Sequence, residues 1–290
     1  MSDLSRFKLD NLFSVAGQTV LITGGGSGIG RSGSLSDKEA ESDVSTKEGA
    51  KNVLQQVAGR VNVLDTVINC AGISIPFRRP TNKLSDPEGV HDLLSSVEDE
   101  DWIKTHSVNV NGEVRPAGVS NLGYAYTQSY ALGPYFVTVS AIPLLRKSEN
   151  PNVIIISSVA GLANQRANGT FTYGVSKAGA IHMSSMLAGR LHPLKIRVNC
   201  ICPGIFPSEM TTKKDENGNL ILGEMGTKAS KRCTIGRPGK PEEIAAPILL
   251  LASKGGIYMN DTCINVDGGR WMVMRGIYDG LRLPEDTYID

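Results

Sequence analysis

Short apolar runs rich in valine and isoleucine recur along the chain at 18–23, 61–68, 152–156 and 195–202. Consecutive β-branched residues, without polar alternation, are what a strand buried on both faces of a parallel sheet carries. Between these runs, at 48–57, 135–145, 173–181 and 241–252, the apolar positions return with the period of a helix that buries one face. The segment 96–104 is read as one more helix, opened by Ser96 with acidic residues in its first turn, and 76–89 as a loop rich in proline and charge. Strands alternating with helices predict an α/β fold, a Rossmann-like doubly wound parallel sheet flanked by helices.

One stretch breaks the alternation early. Residues 31–42 are polar and without apolar periodicity, where a doubly wound sheet places a helix and its second strand. The sheet is therefore expected to lack its second strand and the adjoining helix.

The chemistry gathers at strand ends. Ser157 and Ser158 follow the 152–156 run, and in open α/β sheets ligands bind at the carboxyl ends of the strands. Tyr173 and Lys177 stand four residues apart at a helix start, so their side chains share one face. A cation within ~4–6 Å of a phenol favours the phenolate, which lets the tyrosine exchange a proton with an alcohol or carbonyl oxygen. Ser158 is placed to donate a hydrogen bond to that oxygen as charge builds on it. The first run leads directly into Gly24-Gly25-Gly26-Ser27-Gly28-Ile29-Gly30, a turn whose N–H groups can approach a pyrophosphate.

Composition narrows the partners. A net charge of +1 over 290 residues, with no Lys/Arg stripe interleaved with aromatics, points away from nucleic acid. The N-terminal residues lack the apolar core of a signal peptide, and no run approaches the ~20 apolar residues of a membrane span. A cytoplasmic protein with no membrane partner is expected. The five cysteines, Cys70, Cys200, Cys202, Cys233 and Cys263, match neither zinc nor thioredoxin-type spacing, so Cys200 and Cys202 are read as small core residues and no metal is expected.

Taken in order, the motifs resemble the short-chain dehydrogenase/reductase family. They are Thr23-Gly24-x-x-x-Gly28-Ile29-Gly30, Asn69-Cys70-Ala71-Gly72, Asn109-Val110-Asn111-Gly112, Ser158, Tyr173-x-x-x-Lys177, Pro203-Gly204 with Ser208 and Met210, and Asp267-Gly268-Gly269. The resemblance implies catalysis by Ser158, Tyr173 and Lys177, with Asn109 holding a water beside the lysine. It implies that Gly24, Ser27, Gly28, Ile29 and Gly30 line a dinucleotide and that Asp43 meets the adenine. Asn69 would support the sheet, Ala71 and Gly72 would pack near the adenosine ribose, and Lys177 would also touch the nicotinamide ribose. Pro203, Gly204, Ile205 and Ser208 would embrace the nicotinamide.

The implied function is hydride transfer between a nicotinamide and a secondary alcohol or ketone, with NADP as cofactor and NAD as the alternative. The partners are a small carbonyl or alcohol substrate and, where the interface helices form, further copies of the chain. Residues 1–290 are read as a single dinucleotide-binding domain.

The chain departs from the family pattern twice. About 25–30 residues are missing between Gly30 and Asp43 relative to a complete doubly wound sheet. An irregular insert at about 112–134 interrupts a helix and is expected to bulge outward, displacing Asn109. A tail follows at 271–290, and the polar stretch 212–231 reads equally as a substrate lid or as a solvated surface loop. A second reading follows from the departures: a non-catalytic or defective relative with impaired cofactor binding. Ala160, Leu162, Asn164, Gln165 and Phe206 suggest a mixed polar and apolar pocket that leaves the substrate open.

Overall fold

The computed structural model of the chain describes residues 8–32, 42–78, 86–110, 133–162, 171–216 and 220–274. The first half carries α1 (Leu9–Leu12), β1 (Val20–Thr23), α2 (Gly28–Ser32), α3 (Lys47–Ala58), β2 (Thr66–Asn69), α4 (Pro87–Ser95), α5 (Asp99–Asn109) and α6 (Gly133–Leu145). The second half carries β3 (Asn152–Ile156), α7 (Phe171–Leu191), β4 (Arg197–Pro203), β5 (Thr212–Lys214), β6 (Leu220–Leu222), α8 (Glu224–Lys231), α9 (Pro241–Ala252), β7 (Cys263–Val266) and α10 (Arg270–Met274).

Five strands form one sheet in the order β1-β2-β3-β4-β7, with every pairing parallel. Pleating explains why the strand sequences do not alternate. Successive side chains of β3 leave opposite faces: Val153 and Ile155 enter a core with Val53, Leu54, Val137, Leu145 and Leu187 of α3, α6 and α7. Ile154 and Ile156 enter the other core, with Ile201 and with Ile244, Ile248 and Leu251 of α9. Each such side chain contributes roughly 1.5–3 kcal/mol on burial, and both faces need it. The predicted doubly wound α/β architecture is what forms. Among the described residues no strand lies on the outer side of β1, whose Val20 is 38% exposed.

Several boundaries differ from the sequence reading. The helix expected at 96–104 begins at Asp99: Asp101 Oδ2 accepts from the Glu98 N–H at 3.0 Å, while the Ser96 hydroxyl donates back to the Leu93 carbonyl at 2.7 Å and closes α4. That helix lies partly in the stretch read as a loop, started by Asp86, which accepts from the Glu88 N–H, and by Pro87 at the first position. The polar stretch 212–231 holds the antiparallel hairpin β5–β6 and α8.

The helix interruption is sharply localised. A β-carbon on Gly133 would lie 3.0 Å from the Val108 carbonyl oxygen and 3.3 Å from that of Ser107. In a continuous helix the residue that meets these two carbonyls sits just after Val110. α6 therefore begins where α5 stops, although residues 111–132, which carry most of the insert, lie outside the described residues. Among the described residues no helix is long and apolar enough to cross a membrane.

Candidate active site

The site is assembled where β3 and β4 end and α7 begins. Ser157 faces inward, its N–H donating to the Ile201 carbonyl (2.8 Å) and its hydroxyl to the Lys177 carbonyl (2.7 Å). This ties the strand end to α7. Ser158 is buried, and its Oγ accepts from the Ala160 N–H at 3.1 Å. Accepting at Oγ leaves the hydroxyl proton for another acceptor. Gly161 closes the same turn, and a β-carbon there would fall 2.5 Å from the Ala178 nitrogen. Only glycine lets the backbone of α7 pack this closely on the serine turn.

Tyr173 and Lys177 lie on that helix as their spacing predicts. The Lys177 ammonium is 5.7 Å from the centroid of the Tyr173 ring. It is 4% exposed and donates to the Ile156 carbonyl at 3.1 Å. Burial pushes the neighbouring Cys70 thiol up to about 11, and the Lys177 charge opposes that rise.

Asn109 is not displaced by the interruption that follows it. It ends α5 at 1% exposure. Its Oδ1 accepts from the Ile73 N–H (2.8 Å), while its Nδ2 donates to the Ile73 carbonyl (2.8 Å) and to Ser176 Oγ (2.9 Å). The Ser176 hydroxyl donates in turn to the Tyr173 carbonyl at 2.8 Å. A β-carbon on Gly72 would stand 3.2 Å from both Asn109 Oδ1 and Lys177 Nζ. Amide, ammonium and the end of β2 thus converge on one point.

The glycine-rich turn is built from backbone contacts. Gly24 has φ +67°, and a β-carbon there would meet the Ala71 backbone at 2.8 Å. Thr23 Oγ1 accepts from the Cys70 and Ala71 N–H groups at 3.1 and 3.2 Å, locking the ends of β1 and β2 together. Gly26 faces open space, and a β-carbon on Gly30 would run into the Gly24 carbonyl. The Ser27 carbonyl accepts from Arg31 within the first turn of α2, and Ile29 packs on the core beside α9.

On the opposite side, the Gly204 N–H donates to Val266 and the Ile205 carbonyl accepts from Gly239. Ser208 is held by Thr211, with its Cβ 3.1 Å from where a β-carbon on Gly28 would be. Pro203 ends β4. Asn69 donates to Thr138 Oγ1 at 3.1 Å.

One predicted residue stands apart. Asp43 is exposed, and its Oδ1 accepts from the Ser45 N–H. Gly112, Asn164, Gln165 and the tail from 275 onward lie outside the described residues. Thr23 and Ser157 stand in the stretches quoted from the sequence without a role of their own, and Ser176 and Gly161 were given none. Ser176, three residues from Tyr173 on one helix, carried the nearest to a readable signal. A cavity of ≈ 390 Å³ opens beyond Ile205, lined by Phe206, Cys233, Arg237, Asp267 and Arg270 among others.

The family model described as Enoyl-(Acyl carrier protein) reductase matches residues 125–270. The rhamnolipids biosynthesis 3-oxoacyl-[acyl-carrier-protein] reductase of Pseudomonas aeruginosa is 31% identical over 277 residues, covering 89% of this chain and 97% of that protein. The 3-oxoacyl-[acyl-carrier-protein] reductase FabG of Thermotoga maritima is 28% identical over 284 residues, covering 87% and 97%. The solved structure of the Pseudomonas aeruginosa RhlG/NADP active-site complex superposes with a TM-score of 0.67 at 28% identity, covering 90% of this chain and 98% of that one. The chain belongs to the short-chain dehydrogenase/reductase family, a family of oxidoreductases.

Proposed function

We propose that this chain transfers hydride between NADPH and a small ketone or secondary alcohol, with NADH as the alternative dinucleotide and 3-oxoacyl thioesters as the substrate class to try first. The observation that carries the reading is the convergence of Lys177 Nζ and Asn109 Oδ1 on Gly72, with the Tyr173 ring beside the same ammonium. The substrate class rests on the 3-oxoacyl reductases to which the chain is similar.

Tyr173 exchanges a proton with the substrate oxygen, and Ser158 donates its free hydroxyl proton to that oxygen as negative charge develops. Lys177, held by the Ile156 carbonyl, supplies positive charge beside the phenol. Asn109 fixes the loop after β2 against α7 through Ile73 and Ser176, and so sets where that lysine points.

The residues present suit a dinucleotide. The turn from Gly24 to Gly30 leaves Gly26 open to a phosphate oxygen, while Ala71 and Gly72 and then Pro203, Gly204, Ile205 and Ser208 stand on either side of the strand ends. When bound, the dinucleotide supplies or accepts the hydride. In this reading residues 1–290 act as one domain, and Asp43 offers its carboxylate to the adenine.

Two observations favour the second reading, a relative with impaired cofactor binding. β1 has no outer neighbour among the described residues, and Ser208 stands close against Gly28. Fluorescence titration with NADPH and NADH separates the two. Saturable binding in the low-micromolar range or tighter, with NADPH preferred, supports the enzyme. No binding of either dinucleotide supports the impaired relative.

A further inference from the structure

Three of the five cysteines meet at one point of the sheet. Cys200 and Cys202 are two residues apart on β4 and so leave the same face, and the parallel register sets Cys263 of β7 opposite Cys200. The Cys202 and Cys263 sulfurs are 3.4 Å apart and those of Cys200 and Cys202 4.0 Å, and all three lie within 4.8 Å of one another. Three thiolates around a tetrahedral zinc ion, at Zn–S of about 2.3 Å, have sulfurs about 3.8 Å apart. The two shorter separations bracket that value and the third lies within 4.8 Å, so shifts of up to about 1 Å enclose an ion.

The surroundings suit a soft, desolvated ligand set. Cys200 and Cys202 are 1% and 0% exposed, packed with Val159 against Leu162, Ile181 and Trp271, whereas Cys263 is exposed and gives a way in.

We propose that Cys200, Cys202 and Cys263 form an open three-thiolate site for a thiophilic divalent ion of the zinc type, its fourth position facing solvent on the Cys263 side. Thiolate sulfur selects such ions over magnesium or calcium. The site pins edge strand β7 to β4 directly behind the serine turn. It does not depend on the hydride chemistry and stands whether or not a dinucleotide binds.

The test is a cobalt titration of the reduced, metal-free full-length chain, with Co²⁺ as the spectroscopic probe and Zn²⁺ as competitor. Expected are one equivalent of Co²⁺ bound, a sulfur-to-cobalt charge-transfer band, and loss of that band on adding Zn²⁺. Cys263→Ser, on an exposed edge, should weaken Co²⁺ at least tenfold and remove most of the band, while Cys233→Ser should leave both unchanged. Cys200→Ala is a second variant, and far-ultraviolet circular dichroism verifies that each chain is folded. Absence of the charge-transfer band, a band undiminished in folded Cys263→Ser, or a Cys202–Cys263 disulfide with no metal uptake after reduction overturns the proposal.

Discussion

At the scale of single residues, the absent side chain of Gly72 matters as much as the groups around it. A methyl there would press on Asn109 Oδ1 and Lys177 Nζ together at 3.2 Å, tighter than ordinary contact, and the buried ammonium has little room to retreat. Gly72→Ala should lower kcat roughly ten- to a hundredfold, since displacements of this order at a reacting centre cost about that much, while the melting temperature moves by only a few degrees. Steady-state kinetics beside a thermal melt checks it, and an unchanged kcat would show that Lys177 needs no such precise placement. The Tyr173 and Lys177 pair was legible in the sequence because i and i+4 on a helix share a face. The Asn109 bonds to Ile73 and the contact of Gly161 with α7 were not, because they depend on how separate elements dock.

At the scale of elements, α5 and α6 behave as one helix opened by an insertion. Gly133 meets the Ser107 and Val108 carbonyls where the next helical residue would, so joining Val110 directly to Gly133 restores the i to i−4 ladder. Removing residues 111–132 also removes the entropic cost of bringing the two ends of so long a segment together. The deleted chain should remain folded and melt a few degrees higher by calorimetry, and loss of the folded state would show that the insertion contributes contacts of its own. The strands were readable because a sheet covered on both faces demands uninterrupted β-branched residues, as in Val153-Ile154-Ile155-Ile156. Helix starts were less readable. Ser96 looked like a first residue but closes the helix before, since a serine hydroxyl serves a preceding carbonyl as readily as a following N–H. The cysteine cluster was invisible in sequence spacing, because Cys263 reaches Cys200 through strand register rather than along the chain.

At the scale of the whole molecule, the sheet ends in β1 on one side and β7 on the other. The outer N–H and C=O groups of β1 have no strand partner among the described residues, and such an edge invites pairing between copies. Val20→Lys, at a half-exposed edge position, should shift sedimentation-velocity profiles toward smaller species at fixed concentration while leaving the melting temperature within a few degrees. An unchanged distribution would mean that association, if present, uses another surface. The central claim is that two cores, one parallel sheet and one helix start bring Ser158, Tyr173, Lys177 and Asn109 together as a working oxidoreductase. The most direct measurement is NADPH oxidation with a 3-oxoacyl thioester by the unmutated chain and by Tyr173→Phe, with NADPH affinity measured on both. The account predicts turnover by the unmutated chain, a fall of roughly 10²–10⁴-fold in the variant, and equal NADPH affinity in the two. A variant that binds NADPH and keeps most of the turnover would contradict it.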